Sequence, residues 1–263
     1  MKKLIALTLI AAVALTGLFV GCREKAAGKT FTVGFDAEFP PYGFKDEKTG
    51  EYTGFDLDLA QEVANRNGWK LVKKPINWDA KDMELNSGAI DCIWNGFTIN
   101  GRESEYEWTE PYVDNSQVVL VKAGSPIKAI ADLKDKVVAA QTDTPVLKAL
   151  QDGGDKADLG KTFKKIVVTA NYNNAVMELE SGAVDAVAMD IGVAKKKVDD
   201  APGKFVILDE QIMSEKYGIG FKLGNKELRD QVQATFKHMV ADGIAKGISE
   251  KWFEGKDVII LKP

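Results

Sequence analysis

One histidine (His238) and two cysteines (Cys22 and Cys92) in 263 residues are too few for a conventional zinc cluster or a disulfide framework. A basic excess is also missing. The chain has 35 Lys and Arg against 39 Asp and Glu, a net charge of −4, so no nucleic-acid partner is expected. The sequence contains no G-x-S-x-G, no H-E-x-x-H and no phosphate-binding glycine loop. Beyond the first segment there is no apolar run long enough to span a bilayer, which excludes a multi-span membrane protein. What is present is ordinary: 45% hydrophobic and 28% charged residues, enough for one large domain or two modest ones.

The first segment reads as an address rather than as part of the fold. Lys2 and Lys3 precede an uncharged apolar run from Leu4 to Val20, broken by Thr8, Thr16 and Gly17, and charge returns at Arg23. This is the layout of an export signal, the other reading being a retained single span. The ending Leu18-Phe19-Val20-Gly21-Cys22 resembles the lipobox of bacterial lipoproteins, with Phe19 where Leu is usual. That resemblance implies a signal peptide over 1–21, a lipidated Cys22 and a tether over 22–30. Cys92, alone in an apolar stretch, is expected to be a small buried hydrophobe.

An internal repeat organises the remainder. Glu84-Leu-Asn-Ser-Gly-Ala-Ile-Asp91 matches Glu178-Leu-Glu-Ser-Gly-Ala-Val-Asp185, and the match extends back to Asn77-Trp78 and Asn171-Tyr172 and to Met83 and Met177. The period is too long for a solenoid and suggests two lobes built from one supersecondary unit. In each copy a helix ends at Ser-Gly, with Gly88 or Gly182 supplying a left-handed stop, and a short apolar strand follows. Other strands are predicted at Phe31–Phe35, from Trp69, at Lys136–Ala140 and at Ile166–Thr169. Asp56 is predicted to cap a helix that ends at Asn67-Gly68. Thr144 is predicted to cap another with Pro145 at its first position, and Leu228–Lys251 reads as a helical region weakened at Gly243 and Gly247. Alternating strands and helices predict an α/β fold with largely parallel sheets.

In such folds ligands collect where strands end, so the segments leaving those ends hold the candidate site. They are Asp36-Ala-Glu-Phe-Pro-Pro-Tyr42, Asn95-Gly-Phe-Thr-Ile-Asn-Gly-Arg102, Gln141-Thr-Asp-Thr144 and Asp190. A guanidinium, carboxylates, amides, hydroxyls and rings suit a small zwitterion: Arg pairs with a carboxylate, Asp with an ammonium, and rings cover the stem.

At these residues the chain resembles the extracytoplasmic solute-binding proteins of polar amino-acid ABC transporters, such as those for lysine/arginine/ornithine, histidine and glutamine. The matching pieces are Phe39-Pro-Pro-Tyr42, Gly54-Phe-Asp-Leu-Asp58, Ser87-Gly-Ala-Ile-Asp91, Gly96-Phe-Thr-Ile99 with Arg102, Glu110-Pro-Tyr112, Asp132-Leu-Lys134, Val184-Asp185 to Asp190, and Lys251-Trp-Phe253. The resemblance implies a two-lobe, type II periplasmic-binding-protein-like fold with the ligand cleft between the lobes. Lobe 1 would span 31–114 plus 219–263 and lobe 2 115–218, with hinge crossovers near Asn115–Val118 and Met213–Gly218.

The same resemblance implies a monomer outside the cytoplasmic membrane, lipid-anchored at Cys22, that passes a polar amino acid to a permease driven by an ATPase, with no cofactor and no catalytic residue. Arg102 would grip the α-carboxylate with Thr98, and Asp190 would hold the α-ammonium. Phe39 and Trp78 would flank the side chain, and Asp36, near Glu38, would face its far end. Asn95, Gly96 and Thr144 complete the candidate ligand-binding set. Because an ionised Asp only accepts hydrogen bonds, a basic or carboxamide ligand is favoured over glutamate or aspartate.

The chain departs from the family twice. The family commonly has one more residue between the position of Thr98 and the Arg. Asp143-Thr144-Pro145 stands where Gly and two hydroxyl residues are usual, and Pro145 lacks the backbone N–H often used there. Two other classes fit less well. One is a sensor partner. The other is an enzyme, either a dehydratase on the same scaffold or a penicillin-recognising enzyme, whose S-x-x-K (Ser125–Lys128) and K-T-G (Lys48–Gly50) occur in reversed order. Asp58, the lysines at 195–197 and His238 are expected to be structural or solvated.

Overall fold

The computed structural model describes residues 28–263. The expected signal peptide, Cys22 and most of the tether lie outside the described residues. Among those described, no helix is long and apolar enough to cross a membrane.

The first half opens with β1 (Thr30–Phe35), whose Phe31, Val33 and Phe35 are wholly buried. A small antiparallel meander follows, β2 (Glu38–Phe39), β3 (Gly43–Lys45) and β4 (Tyr52–Thr53), then α1 (Phe55–Asn67) and β5 (Lys70–Pro75). A single turn at Trp78–Ala80 leads into α2 (Lys81–Asn86), β6 (Cys92–Thr98) and the short β7 (Glu107–Trp108). The chain crosses on β8 (Val113–Lys122) to β9 (Val137–Gln141), α3 (Pro145–Leu150), α4 (Ala157–Gly160), β10 (Lys165–Thr169), α5 (Tyr172–Ser181), β11 (Ala186–Asp190) and α6 (Ile191–Asp200). It returns on β12 (Phe205–Phe221) and ends with α7 (Lys226–Ala241) and α8 (Ile244–Trp252).

Within each half the pairing is parallel: β5 and β6 on β1, and β10 and β11 on β9. The halves do not form separate sheets. The crossing strands β8 and β12 pair antiparallel, Val113 to Tyr217 and Asn115 to Glu215, and weld both halves into the order β10-β9-β11-β8-β12-β6-β1-β5. Register shifts near Gln211 interrupt the β8–β12 ladder, as bulges do where a strand must bend. The mixed α/β, two-lobe expectation stands, with both lobes carried on one sheet.

The repeat has a local cause in both copies. Gly88 (φ 78°) and Gly182 (φ 80°) turn left-handed, and Ala89 and Ala183 close six-residue stops on Glu84 and Glu178. The Asp that follows clasps the neighbouring parallel strand. Asp91 accepts the Thr32 N–H at 2.7 Å, and Asp185 accepts that of Val137 at 2.8 Å. Ser-Gly-Ala-Ile/Val-Asp thus encodes helix stop, turn and strand register together.

Two sequence expectations need correction. Asp56 is not a cap, because α1 starts at Phe55 after Gly54. Its wholly buried carboxylate turns inward to accept the Gly96 N–H (2.6 Å) and the Tyr112 hydroxyl (2.8 Å), and burial pushes its pKa up to about 7. The C-terminal helical region is two helices broken at Gly243 (φ 82°), whereas Gly247 sits inside α8. Cys92 is buried as expected, and Asp58 is structural, accepting from Lys251 and the Trp252 indole.

Asp56→Ala leaves two buried donors without acceptors, each costing about 1–3 kcal/mol. Urea titration should show a destabilisation of that size; a midpoint unchanged from wild type would remove Asp56 from the framework.

Candidate functional site

The parallel strands of both halves point their carboxyl ends at one gap, and a small cavity lies within it. All nine residues singled out in the sequence line it: Asp36, Phe39, Trp78, Asn95, Gly96, Thr98 and Arg102 from one lobe, Thr144 and Asp190 from the other. Gln141 and Pro145 line it as well. Glu38 does not. It lines an outer groove beside the cavity and accepts from Asn173, with Lys197 close by.

Asp36 follows β1 with its carboxylate buried. It accepts the Glu38 N–H (2.9 Å) and, across the gap, the Gln141 amide (2.8 Å). Burial still raises its pKa above the usual carboxylate range. Asn95 fixes the start of this turn by accepting the Asp36 N–H, and its own Nδ2 is buried beside Gly43 without a partner. Gly96 is the one site glycine that its backbone demands. Its φ is 54°, and a Cβ there would lie 2.9 Å from the Phe39 ring and 3.0 Å from that of Tyr217. Phe39 stacks on Tyr172 at 5.8 Å, and Trp78 stands edge-on to Phe97 at 5.5 Å.

Arg102 is only 8% exposed. Its guanidinium lies 5.2 Å from the Phe97 ring centre and donates to the Asp143 carbonyl at 2.6 Å. Asp143 also pairs through its carboxylate with Lys81 Nζ, so two cations of one lobe grip one residue of the other. Lys81 is 1% exposed and lies over the Trp78 ring. Asp143 occupies a left-handed backbone position, φ 52°, where the family usually has Gly. Thr144 caps α3 as expected: its hydroxyl donates to Gln141 O (2.8 Å) and accepts from Leu147 N (3.4 Å), so the cap occupies it.

Asp190 ends β11, 3% exposed. It accepts from Asn115 Nδ2 (2.8 Å), Gln117 Nε2 (2.9 Å), the Tyr172 hydroxyl (2.7 Å) and the Tyr217 hydroxyl. No ion pair among the described residues reaches it. Burial therefore raises its pKa despite these donors, and the same burial holds Tyr172 and Tyr217 neutral.

Sequence reading did not commit to Gln141, Lys81 or Tyr172. A signal existed for Tyr172, which is the repeat counterpart of Trp78. None existed for Lys81, whose partner lies 62 residues away.

Lys81→Met and Asp143→Ala should be coupled. A double-mutant cycle in thermal or urea unfolding should give about 1 kcal/mol of interaction, reduced by the half-exposed carboxylate. A cycle that sums to zero would show that the pair does not hold the lobes together.

This geometry has close counterparts. Residues 31–255 match the bacterial extracellular solute-binding proteins, family 3. The L-cystine-binding protein TcyJ of Escherichia coli (strain K12) is 29% identical over 245 residues, covering 92% of this chain and 88% of that one. A probable histidine-binding protein of Neisseria gonorrhoeae is 31% identical over 268 residues, 96% of both chains. Among solved structures, a Streptococcus pneumoniae ABC uptake transporter substrate-binding protein with bound histidine superposes with a TM-score of 0.83 at 27% identity, covering 88% of this chain and 95% of that one. An ancestral arginine-binding protein bound to glutamine gives 0.78 at 36%, covering 85% and 97%. With its fold, cavity and matched length in agreement, the chain belongs to the family 3 bacterial extracellular solute-binding proteins.

Proposed function

We propose that this protein captures a polar L-amino acid outside the cytoplasmic membrane and delivers it to an ABC importer by lobe closure. One observation carries the reading: a single cavity between the lobes offers both a guanidinium, Arg102, and a buried carboxylate that no protein cation neutralises, Asp190. A zwitterion answers both. Arg102 and Thr98 would hold its carboxylate, while Asp190 would hold its ammonium and Phe39 and Trp78 its stem. The names of the relatives, for cystine, histidine, arginine and glutamine, support this class of ligand.

Charge-assisted bonds contribute roughly 1.5–3 kcal/mol each, and a micromolar Kd needs only about 8 kcal/mol net, so the two charged ends plus ring burial suffice. Closure would move 115–218 against 31–114 and 219–263 about the paired strands β8 and β12, a hinge motion. Similarity to an ancestral amino-acid-binding protein described as a precursor of cyclohexadienyl dehydratase makes a turnover assay the natural control. In this reading an export signal over 1–21 and a lipid on Cys22 would hold the protein on the outer side of the membrane, as a monomer working with a permease and its ATPase.

A thermal-shift panel of the common amino acids on the chain lacking 1–21 tests the function, since a ligand of the native state raises Tm. Basic or carboxamide amino acids should shift it, and glutamate should not. For the amino acid found, Arg102→Lys should weaken binding at least about tenfold, because an ammonium does not replace a bidentate guanidinium. A wild-type Kd in that variant would take Arg102 out of the site.

Cys22→Ala should release the expressed protein from the membrane fraction and abolish its labelling by fatty acid. Continued labelling would show that Cys22 is not the anchor.

A further inference from the structure

The ammonium site extends behind the cavity into the hinge. Asn115 and Gln117 on β8, and Glu215 and Tyr217 on β12, alternate along two paired strands, so their side chains share one face. Asn115 Nδ2 donates both to Asp190 Oδ1 (2.8 Å) and to Glu215 Oε1 (2.6 Å), and Gln117 Nε2 does the same at 2.9 and 2.8 Å. Two amides thus bridge two carboxyl groups, 3% exposed each. The remaining Glu215 oxygen, Oε2, is buried without a partner.

The other titratable groups here are Tyr172 from α5, Tyr217 from β12 and Tyr42 from the turn between β2 and β3, all held neutral by burial, with the Asp56 carboxyl of α1 beyond Tyr42. Asp114 and Lys216 lie on the outer side of the hinge, where they line a surface pocket with Glu215. No ion pair among the described residues reaches Asp190 or Glu215. Two carboxylates bridged in this way and denied a cation do not both ionise readily. Burial and the charge of Asp190 push Glu215 up to about 8.

We propose that Glu215 is a positioning residue of the ammonium site: it shares one proton with Asp190 in the ligand-free protein, and that proton leaves when an amino-acid ammonium reaches Asp190. This rests on the amino-acid reading of the cavity. In the step, the shared carboxyl O–H bond breaks and its electron pair stays on oxygen. The proton passes to water or buffer base on the outer side of the hinge. The pair gains one negative charge and the ammonium brings one positive charge, so the net charge of the buried site is unchanged. The free protein holds the proton up to about pH 8 and the complex holds it less tightly. Affinity therefore rises with pH until that value is passed.

Calorimetry of the chain lacking 1–21 with L-arginine and L-glutamine tests the proposal. Neither probe titrates near neutrality, unlike histidine. At pH 7, in buffers of different ionisation enthalpy, wild type should release up to about one proton per ligand, and Kd should fall by up to about tenfold per pH unit between pH 6 and 8. Glu215→Gln mimics the protonated group. It should release none and should bind at a pH-independent level near the weaker, acid-side value of wild type; a purely structural role would lower stability and leave the proton count alone. Infrared spectra of the ligand-free protein supply a second measurement: the neutral-carboxyl absorption lost near pH 8 in wild type, above that of Asp56 near 7, should be missing in Glu215→Gln. No proton release by wild type, or release undiminished in Glu215→Gln, overturns the proposal. Failure of every amino acid to bind would overturn the reading of the cavity and with it the coupling, while the infrared comparison would still report the shared proton.

Discussion

The structure turns on holding carboxyl groups out of water without giving them a protein cation. Asp36, Asp56, Asp190 and Glu215 are all buried, and none forms an ion pair among the described residues. Desolvating a carboxylate costs several kcal/mol unless donors compensate, and here the donors are backbone N–H groups, amides and phenols. They are available because parallel strands end together, leaving peptide N–H groups and turn residues to converge. Asp56 takes the Gly96 N–H, Asp36 that of Glu38, and Asp190 two amides and two hydroxyls. The compensation is incomplete for all four, whose pKa values stay raised. Incomplete compensation is what makes such a site receptive to a cationic group.

The same constraint ties the cavity to the hinge. Asp190 belongs to one lobe, but three of its four donors, Asn115, Gln117 and Tyr217, stand on the strands that join the lobes. A change of charge at Asp190 is therefore felt where the lobes join, through direct hydrogen bonds and not through a chain of packed contacts. Tyr217 adds a steric link: its ring lies 5.4 Å from that of Tyr42 and borders Gly96, so hinge, turn and cavity floor share one aromatic wall.

Much of this was legible in the sequence because the informative signals are local. Ser-Gly followed by Ala-Ile-Asp or Ala-Val-Asp states a helix stop and a strand start within five residues, and the structure adds only that the Asp clasps the neighbouring strand. The segments leaving the strand ends named the lining of the cavity, since position at a strand end is nearly a statement about the site in an α/β fold. What was not legible depends on pairs far apart. Asp56 looked like a cap because Asp before a helical pattern usually is one; its true partner is a peptide N–H 40 residues away. Glu215 gave no sign of itself because alternation on a crossing strand shows which residues share a face but not what stands opposite.

The loop Asp143-Thr144-Pro145 shows how one departure from the family pattern follows from another. Pro145 at the first helical position loses no intrahelical hydrogen bond, and it leaves Thr144 in the extended conformation that suits a cap. The cap then occupies the Thr144 hydroxyl, removing a donor that could have faced a ligand. Asp143, forced left-handed without the freedom of Gly, carries a strain of about 1–2 kcal/mol. Its side chain and carbonyl offset that strain by engaging Lys81 and Arg102 of the other lobe. This chain thus directs part of the loop to contact between the lobes.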